Sequence, residues 1–441
     1  MTVKKSPLTN RIPAAPLFML NDLFTDYYRK IRSAKKQQHR IAWSTIGTPK
    51  NLFFAMDIVP VYPQFHAAFQ STRGKTKHIF ETIESKYQIP HDICGEVKSM
   101  MGTILSGERL AFGLPEPDFV LSGNGACSAA AKGLDFLSRH MNVPRYFCDI
   151  PFVSTDSAEA HAVTYVNRQL EEIIRSVERT YGVSFDRERY ERLMANDYQA
   201  LIVWQEILKL FARDPAPANA MDLYLFFMPF IMLEPVDDGF LNVLIRLYND
   251  LHLRIDKATD AKAPGSSGSG RSEIRLLWDI LPVYHKMDFF LDTFAAYNAT
   301  VAMSTYLVGN SFYPDTMDLR FEFPLDRAQV TEAFINTPME QVERYRDISL
   351  EQDANRPIEL RKRLIKRIVH DYDIQGAILH MDRTCRPMSL PQYELLKYIR
   401  ESLGIPALLF HADSMDERYF AEAQIATRLE AFLEGLASGR R

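Results

Sequence analysis

Cysteine is scarce in this chain, with four residues in 441, too few for a disulfide scaffold. Long blocks of one charge sign are missing too: 52 basic and 56 acidic side chains are spread along the sequence and leave a formal net charge of -4. Phosphate binding needs a basic surface, so nucleic acid is not an expected partner. The most apolar stretch, Leu223 to Leu233, contains Pro229 and is far too short to span a bilayer. Lysines near the N-terminus are followed by no apolar h-region, so no secretory signal is read there. These absences lead to the expectation of a cytoplasmic protein with no membrane partner and with reduced thiols. Walker-type phosphate loops, dinucleotide-binding glycine fingerprints, zinc-hydrolase histidine pairs, Gly-x-Ser-x-Gly elbows and C-x-x-C pairs are absent as well.

What is there is a globular composition, 46% hydrophobic and long enough for two or three domains with their own cores. Helical spacing from Leu17 to about Lys35 gives way to the apolar run Ile41-Ala42-Trp43 and a loop at Ser44-Thr45-Ile46-Gly47. Pro49 opens a helix whose apolar face runs from Leu52 to Met56, followed by a strand from Ile58 to Tyr62. Helical stretches from His66 to Lys86 and Ile93 to Leu105 precede a strand from Asp118 to Ser122, a helix from Ser128 to Arg139 and a strand from Arg145 to Ile150. Strands alternating with helices predict a parallel sheet covered on both faces. From Asp156 to Lys257 only amphipathic helical patterns occur, and the stretch 258–272, containing Pro264-Gly265-Ser266-Ser267-Gly268-Ser269-Gly270, reads as a flexible linker. Alternation then resumes, with strands expected at Ile274 to Ile280, Thr300 to Met303, Gly376 to His380 and Ala407 to His411. The expected organisation is an α/β domain over 1–155, a helical segment over 156–257, the linker, and a second α/β domain over 273–441.

Three of the four cysteines fall where such folds build their sites. Ligands collect at the carboxyl ends of parallel strands, where loops aim backbone amides and helix N-termini into one crevice. Cys127 follows the third strand through Gly123-Asn124-Gly125-Ala126, and Cys385 follows the strand ending at His380 through Met381-Asp382-Arg383-Thr384. Cys94 starts a helix after Pro90-His91-Asp92, where the helix dipole favours a thiolate. If both α/β units face one cleft, three thiolates from three loops converge there, and soft thiolates select iron–sulfur clusters, zinc or copper(I). The plainer reading makes them buried apolar cysteines at helix starts, the usual fate of a free thiol. Cys148, in Tyr146-Phe147-Cys148-Asp149-Ile150, reads as the interior of a buried strand. His380, His411, Asp382, Asp413 and Asp416 stand near strand ends, where acid–base roles compete with capping and turn formation.

At these residues the chain resembles the 2-hydroxyacyl-CoA dehydratase and benzoyl-CoA reductase family, in its 2-hydroxyglutaryl-CoA dehydratase D-component type. The matching stretches are Ile41-Ala42-Trp43-Ser44 with Pro49, Asp92-Ile93-Cys94 with Val97-Lys98 and Gly102, Pro117-Asp118 through Cys127, and Asp149-Ile150-Pro151. They continue with Cys385 and Ser389, Gly404-Ile405-Pro406, Asp413 with Asp416 and Arg418-Tyr419-Phe420, and Thr427 through Phe432. The resemblance implies two Rossmann-like parallel-sheet units facing a cleft, a helical segment between them, and a [4Fe-4S] cluster held by Cys94, Cys127 and Cys385 with one iron site open. It implies a homologous second subunit, an ATP-dependent activator protein carrying its own iron–sulfur cluster, and a CoA thioester substrate. The implied chemistry is radical: one electron added to the thioester carbonyl gives a ketyl that expels the 2-hydroxyl group, and the electron returns at the end.

Ser44 matches a family position close to bound substrate. Gln64 stands after Pro63 where the family pattern leads one to expect glutamate, and a glutamine cannot act as a base; Gly95 replaces an expected serine or threonine beside the first ligand. These departures leave open a sister activity, reduction of an aromatic acyl-CoA ring. A cluster-bearing electron-relay subunit and a cluster-free two-lobed binding protein are the alternatives outside that chemistry.

Overall fold

The computed structural model describes residues 11–74, 76–106, 114–125, 127–151, 156–236, 239–261, 273–308, 321–337 and 358–439. Its frame is two four-stranded sheets, each wholly parallel. The first holds β1 (Arg40–Ser44), β2 (Ile58–Val61), β3 (Phe119–Gly123) and β4 (Arg145–Cys148) in the order β2-β1-β3-β4. The second holds β5 (Ile274–Asp279), β6 (Ala299–Ser304), β7 (Gly376–Asp382) and β8 (Ala407–Ala412) in the order β6-β5-β7-β8. The second sheet thus repeats the topology of the first. Strands β2, β3, β5 and β6 are buried at every position, as expected of parallel strands covered by helices on both faces, and they read in sequence as near-continuous apolar runs.

Helices α1 (Ala14–Ser33), α2 (Lys50–Ala55), α3 (Pro63–Thr72), α4 (Thr76–Tyr87), α5 (Gly95–Leu105) and α6 (Ser128–Met141) belong to the first unit. The expected single helical stretch from His66 to Lys86 is two helices, because the chain turns at Arg73-Gly74, with Gly74 at a φ of 63°. Helix α6 ends on Asn142, whose left-handed φ of 53° suits asparagine at this position. Between the sheets run α7 (Asp156–Tyr181), α8 (Arg187–Leu210) and the helix Phe240–Ala261, so this region is helical as its sequence pattern predicts. The last of these continues past residue 257 to Ala261, into the stretch expected to be a linker; residues 262–272 lie outside the described residues.

Three tryptophans mark one continuous core. Trp43 on β1, Trp204 on α8 and Trp278 on β5 are all fully buried, and their indole N–H groups donate to the carbonyls of Pro115 (3.1 Å), Leu307 (3.4 Å) and Leu281 (3.2 Å). The apolar run around Pro229 packs into the same core, with Phe226 and Met232 fully buried. Each such aliphatic or aromatic side chain contributes about 1.5–3 kcal/mol on burial. Cys148 is buried in a separate small cluster with Leu52, Val166 and Leu170. It closes the edge strand β4 rather than lying inside a buried one, since Arg145 and Phe147 on that strand are exposed. No helix among the described residues is long and apolar enough to cross a membrane.

Candidate functional site

In each sheet the chain leaves a central strand for one neighbour and later returns to its other side, β1 between β2 and β3, and β5 between β6 and β7. Loops diverge at such switch points and open a crevice at the carboxyl ends of the strands. Ser44 ends β1, Gln64 follows β2, Cys127 follows β3 and Cys385 follows β7. Cys94 lies on the crossover between β2 and β3.

Each of these three cysteines is the residue that immediately precedes a helix: Cys94 before α5, Cys127 before α6 and Cys385 before the short helix Arg386–Ser389. The N–H groups of Val97, of Ala129 and Ala130, and of Met388 point toward the respective sulfurs without closing to full capping hydrogen bonds. Their effect is to favour negative charge on sulfur. Burial acts the other way and dominates, pushing all three thiols up, with Glu96 the next cause at Cys94 and Asp382 at Cys385. All three cysteines nevertheless keep partial solvent contact. Strong desolvation with partial access describes the floor of a cleft. The thiols sit within one another's field: Cys94 feels Cys385 and Cys127, and Cys385 feels Cys127. Cys148 lies apart in its own small cluster, and burial pushes its thiol up to about 12.

Three polar networks fix the loops. At Cys127, Asn124 Nδ2 donates to Asp149 (2.7 Å) while its Oδ1 accepts from the Ile150 N–H (2.6 Å), and the Gly123 N–H donates to Thr45 Oγ1 (3.0 Å). At Cys385, Asp382 Oδ1 accepts from the N–H groups of both Thr384 and Cys385 at 2.9 Å, and its other oxygen takes the Ser414 N–H at 3.0 Å. The third network crosses between the units. Thr384 Oγ1 accepts from the Gly95 N–H (3.2 Å) and donates to Asp413 Oδ2 (2.7 Å), joining the start of α5 to the Cys385 loop. Behind it the carbonyl of Met415 accepts from Ser71 (3.2 Å) and Thr76 (2.8 Å), and the fully buried Lys98 reaches Glu84 (3.1 Å), Asp416 (3.4 Å) and the His91 carbonyl (2.8 Å). This contact explains Gly95: a Cβ there would lie 2.7 Å from Met415 Cβ and 2.9 Å from Asp413 Oδ1, so neither serine nor threonine fits.

The remaining expected site residues have defined partners. Ser44 is fully buried and its hydroxyl donates to the Leu121 carbonyl (2.9 Å). Gln64 accepts from the Ile46 N–H (3.1 Å) and donates to Glu96 Oε2 (3.3 Å). Asp413 has its carboxyl pushed up, first by burial and then by Asp382, whereas Asp416 is held down by Arg418 and Lys98 against the effect of burial. His380 is a core residue stacked on Phe410 at 5.1 Å, and His411 is exposed.

Glu96 escapes a reading of the sequence, because a lone glutamate in the first turn of a helix reads as a dipole partner. Here it lies among the three cysteines' neighbours, held by Gln64. Burial, with Asp382 and Asp413 adding to it, pushes its carboxyl up to about 7 against the Gln64 hydrogen bond. Its charge acts on all three cysteines and on Tyr284 and Tyr306 of the second unit.

Among the described residues no three His, Cys, Asp or Glu side chains crowd closely enough to bind a single metal ion. A cluster held by three thiolates distributes them over different irons and needs a wider triangle, with polar N–H groups turned toward sulfur. Cys94, Cys127 and Cys385 share two features relevant to such a group: each precedes a helix, and they act on one another electrostatically.

Comparison with known proteins adds the following. The family model for the 2-hydroxyglutaryl-CoA dehydratase D-component matches residues 45–436. The alpha subunit of (R)-2-hydroxyisocaproyl-CoA dehydratase from Clostridioides difficile is 26% identical over 422 residues, covering 94% of this chain and 95% of the relative. The (R)-phenyllactyl-CoA dehydratase alpha subunit of Clostridium sporogenes is 22% identical over 404 residues, covering 91% and 90%. One of the subunits of benzoyl-CoA reductase from Thauera aromatica is 22% identical over 445 residues, covering 98% and 97%.

Proposed function

We propose, on the premise that the chain belongs to the 2-hydroxyglutaryl-CoA dehydratase D-component family, that it is the iron–sulfur subunit of a 2-hydroxyacyl-CoA dehydratase. The observation that carries this reading is the placement of Cys94, Cys127 and Cys385 at the starts of three helices within one another's field. These residues would hold a [4Fe-4S] cluster, which when bound supplies a one-electron centre and an open iron site for a CoA thioester. The chain's own groups do the rest. The N–H groups of α5 and α6 offset negative charge at the thiolates. Thr384 and Asp382 fix the Cys385 loop against the first unit. Gln64, with Ser44 bracing the end of β1, sets the loop 44–48 and holds Glu96 toward the cleft, where its carboxyl can accept a hydrogen bond from substrate and hold a proton near neutral pH.

The relatives carry subunit names, which supports a homologous second subunit here, and an activator would supply the electron, since the sequence has no phosphate loop for ATP. The match to a benzoyl-CoA reductase subunit favours a second reading, reduction of an aromatic acyl-CoA. Iron, acid-labile sulfide and the EPR spectrum after reduction, measured on protein purified without oxygen, test the assignment. About four irons per chain are expected in the wild type and in Cys148→Ser, with losses in Cys94→Ser, Cys127→Ser and Cys385→Ser. Equal iron in all four variants would sink the ligand set. Assays with 2-hydroxyacyl and aromatic thioesters then separate the two readings.

A further inference from the structure

The second sheet contributes one more group to the cleft. Tyr306 lies in the first turn of the short helix Thr305–Val308, directly after β6. Its N–H donates to Ser304 Oγ (3.2 Å), and the same oxygen accepts from the Tyr224 hydroxyl (2.8 Å). Its ring packs against Tyr224 and Phe227, each with centroids 5.5 Å away. These partners come from the apolar run of the helical region and hold the ring from behind. Tyr224 and Tyr284 are buried, but Tyr306 keeps partial access to solvent. Its phenol lies within reach of the Tyr284 hydroxyl and in the field of Glu96 and Cys385. Burial, with Glu96 and Cys385 adding to it, pushes the phenol up against the Tyr284 hydrogen bond, so it stays protonated and serves as a donor.

A donor phenol and an acceptor carboxyl oxygen that both lie in the field of Cys385 form a matched pair for one kind of group, an alcohol, which needs a donor for its oxygen and an acceptor for its hydrogen. In a 2-hydroxyacyl thioester that alcohol is one carbon from the carbonyl, so a carbonyl directed at the cysteines brings it to their neighbours. We propose that Tyr306 is a substrate-contacting specificity residue whose phenol donates a hydrogen bond to the 2-hydroxyl oxygen of the bound thioester, with Tyr284 holding the phenol and Glu96 accepting the hydroxyl hydrogen. This rests on the function proposed above. An acyl thioester lacking the hydroxyl leaves both groups unpaired in a desolvated site and binds less well.

The test uses the full-length, iron-replete protein prepared without oxygen, with any subunit that accompanies it, titrated calorimetrically with 2-hydroxyisocaproyl-CoA and with isocaproyl-CoA. The wild type should favour the hydroxylated ligand. Tyr306→Phe should weaken that ligand roughly twofold to tenfold, the loss of one neutral hydrogen bond. Its iron content should not change, and its affinity for isocaproyl-CoA should hold or rise, because the donor left unpaired by that ligand is gone. Tyr284→Phe, which keeps the donor but frees it, should have a smaller effect in the same direction. An unchanged preference in Tyr306→Phe, an equal loss on both thioesters, or a larger effect at Tyr284 overturns the assignment. A wild type that binds both ligands without preference overturns it while leaving the dehydratase reading standing; an iron-replete wild type that binds neither sinks both.

Discussion

Replacing Thr384 by valine keeps the shape of a buried side chain and removes one oxygen, the oxygen that joins the two halves of the site. In the wild type that oxygen accepts the Gly95 N–H at 3.2 Å and donates to Asp413 Oδ2 at 2.7 Å, and the residue is 6% exposed. Gly95 opens α5, and a first-turn N–H has no partner within its own helix. Asp413 keeps the Met415 and Asp416 N–H groups on its other oxygen (2.9 and 2.8 Å). A neutral hydrogen bond is worth about 0.5–1.5 kcal/mol and one to a charged group about 1.5–3 kcal/mol, so the loss totals about 2–4.5 kcal/mol. Serine at the same position keeps the oxygen and gives up one methyl group, about 1 kcal/mol.

The cost falls on local opening between the Cys94 and Cys385 loops rather than on the folding of either sheet, so amide hydrogen exchange is the suitable assay. By mass spectrometry, peptides covering residues 92–98 and 382–388 should exchange roughly 30-fold faster or more in Thr384→Val, since about 1.4 kcal/mol corresponds to a factor of ten. Peptides from β1 and β5 should not change, and Thr384→Ser should lie close to wild type. Iron retention should follow the same order. A valine variant that exchanges like the wild type, or a serine variant that exchanges like valine, would refute the hydroxyl bridge.

Gly95→Ala should destabilise by about 1–3 kcal/mol, because the new Cβ meets Met415 Cβ at 2.7 Å and overpacking outweighs the better helix propensity. A thermal melt checks this, and a variant more stable than the wild type would contradict the packing. His66 is buried and its pKa is lowered to about 3 by that burial, so between pH 3 and 6.5 the unfolded chain binds a proton that the folded chain refuses. Its contribution is therefore complete above about pH 6.5 and is lost on acidification, by about 2 kcal/mol at pH 5. His66→Gln should narrow the stability gap to wild type by that amount between pH 7.5 and pH 5 in urea titrations. Parallel curves would show that the histidine is not held neutral.

What the sequence discloses about the fold follows from burial. Parallel strands covered on both faces must be apolar at nearly every position, so Ile41-Ala42-Trp43 and Ile274 to Asp279 stand out without any alignment. Edge strands carry less of that signal, which is why Cys148 reads as interior although Arg145 and Phe147 of β4 are exposed. At the candidate site, the positions of Cys127 and Cys385 after strands are legible from local pattern. The partners that hold them are not. Thr384 is an ordinary turn residue until Gly95, 289 positions away, is brought to it, and Tyr306 and Glu96 take on meaning only when the second unit meets the first. Such contacts depend on tertiary placement, for which a single sequence has no local marker.

The division of donors between the units has a physical consequence. Two of the three cysteines come from the first unit and one from the second, so neither unit alone could assemble the ligand set proposed above. The residues that dock the units belong to the site as much as the thiols do: Thr384 on Gly95, Ser71 and Thr76 on the Met415 carbonyl, and Lys98 between Glu84 and Asp416. Most are polar, and polar contacts between buried surfaces specify one geometry where apolar ones tolerate sliding. Each sheet has its own backbone ladder, and the apolar part of this contact is small, Ile79 and Phe80 of the first unit against Tyr284 and Met415 of the second. Loosening the contact should therefore separate Cys385 from Cys94 and Cys127 before either unit unfolds. On this argument, variants of the docking residues lose iron and substrate affinity at temperatures where far-ultraviolet circular dichroism still reports native helix content.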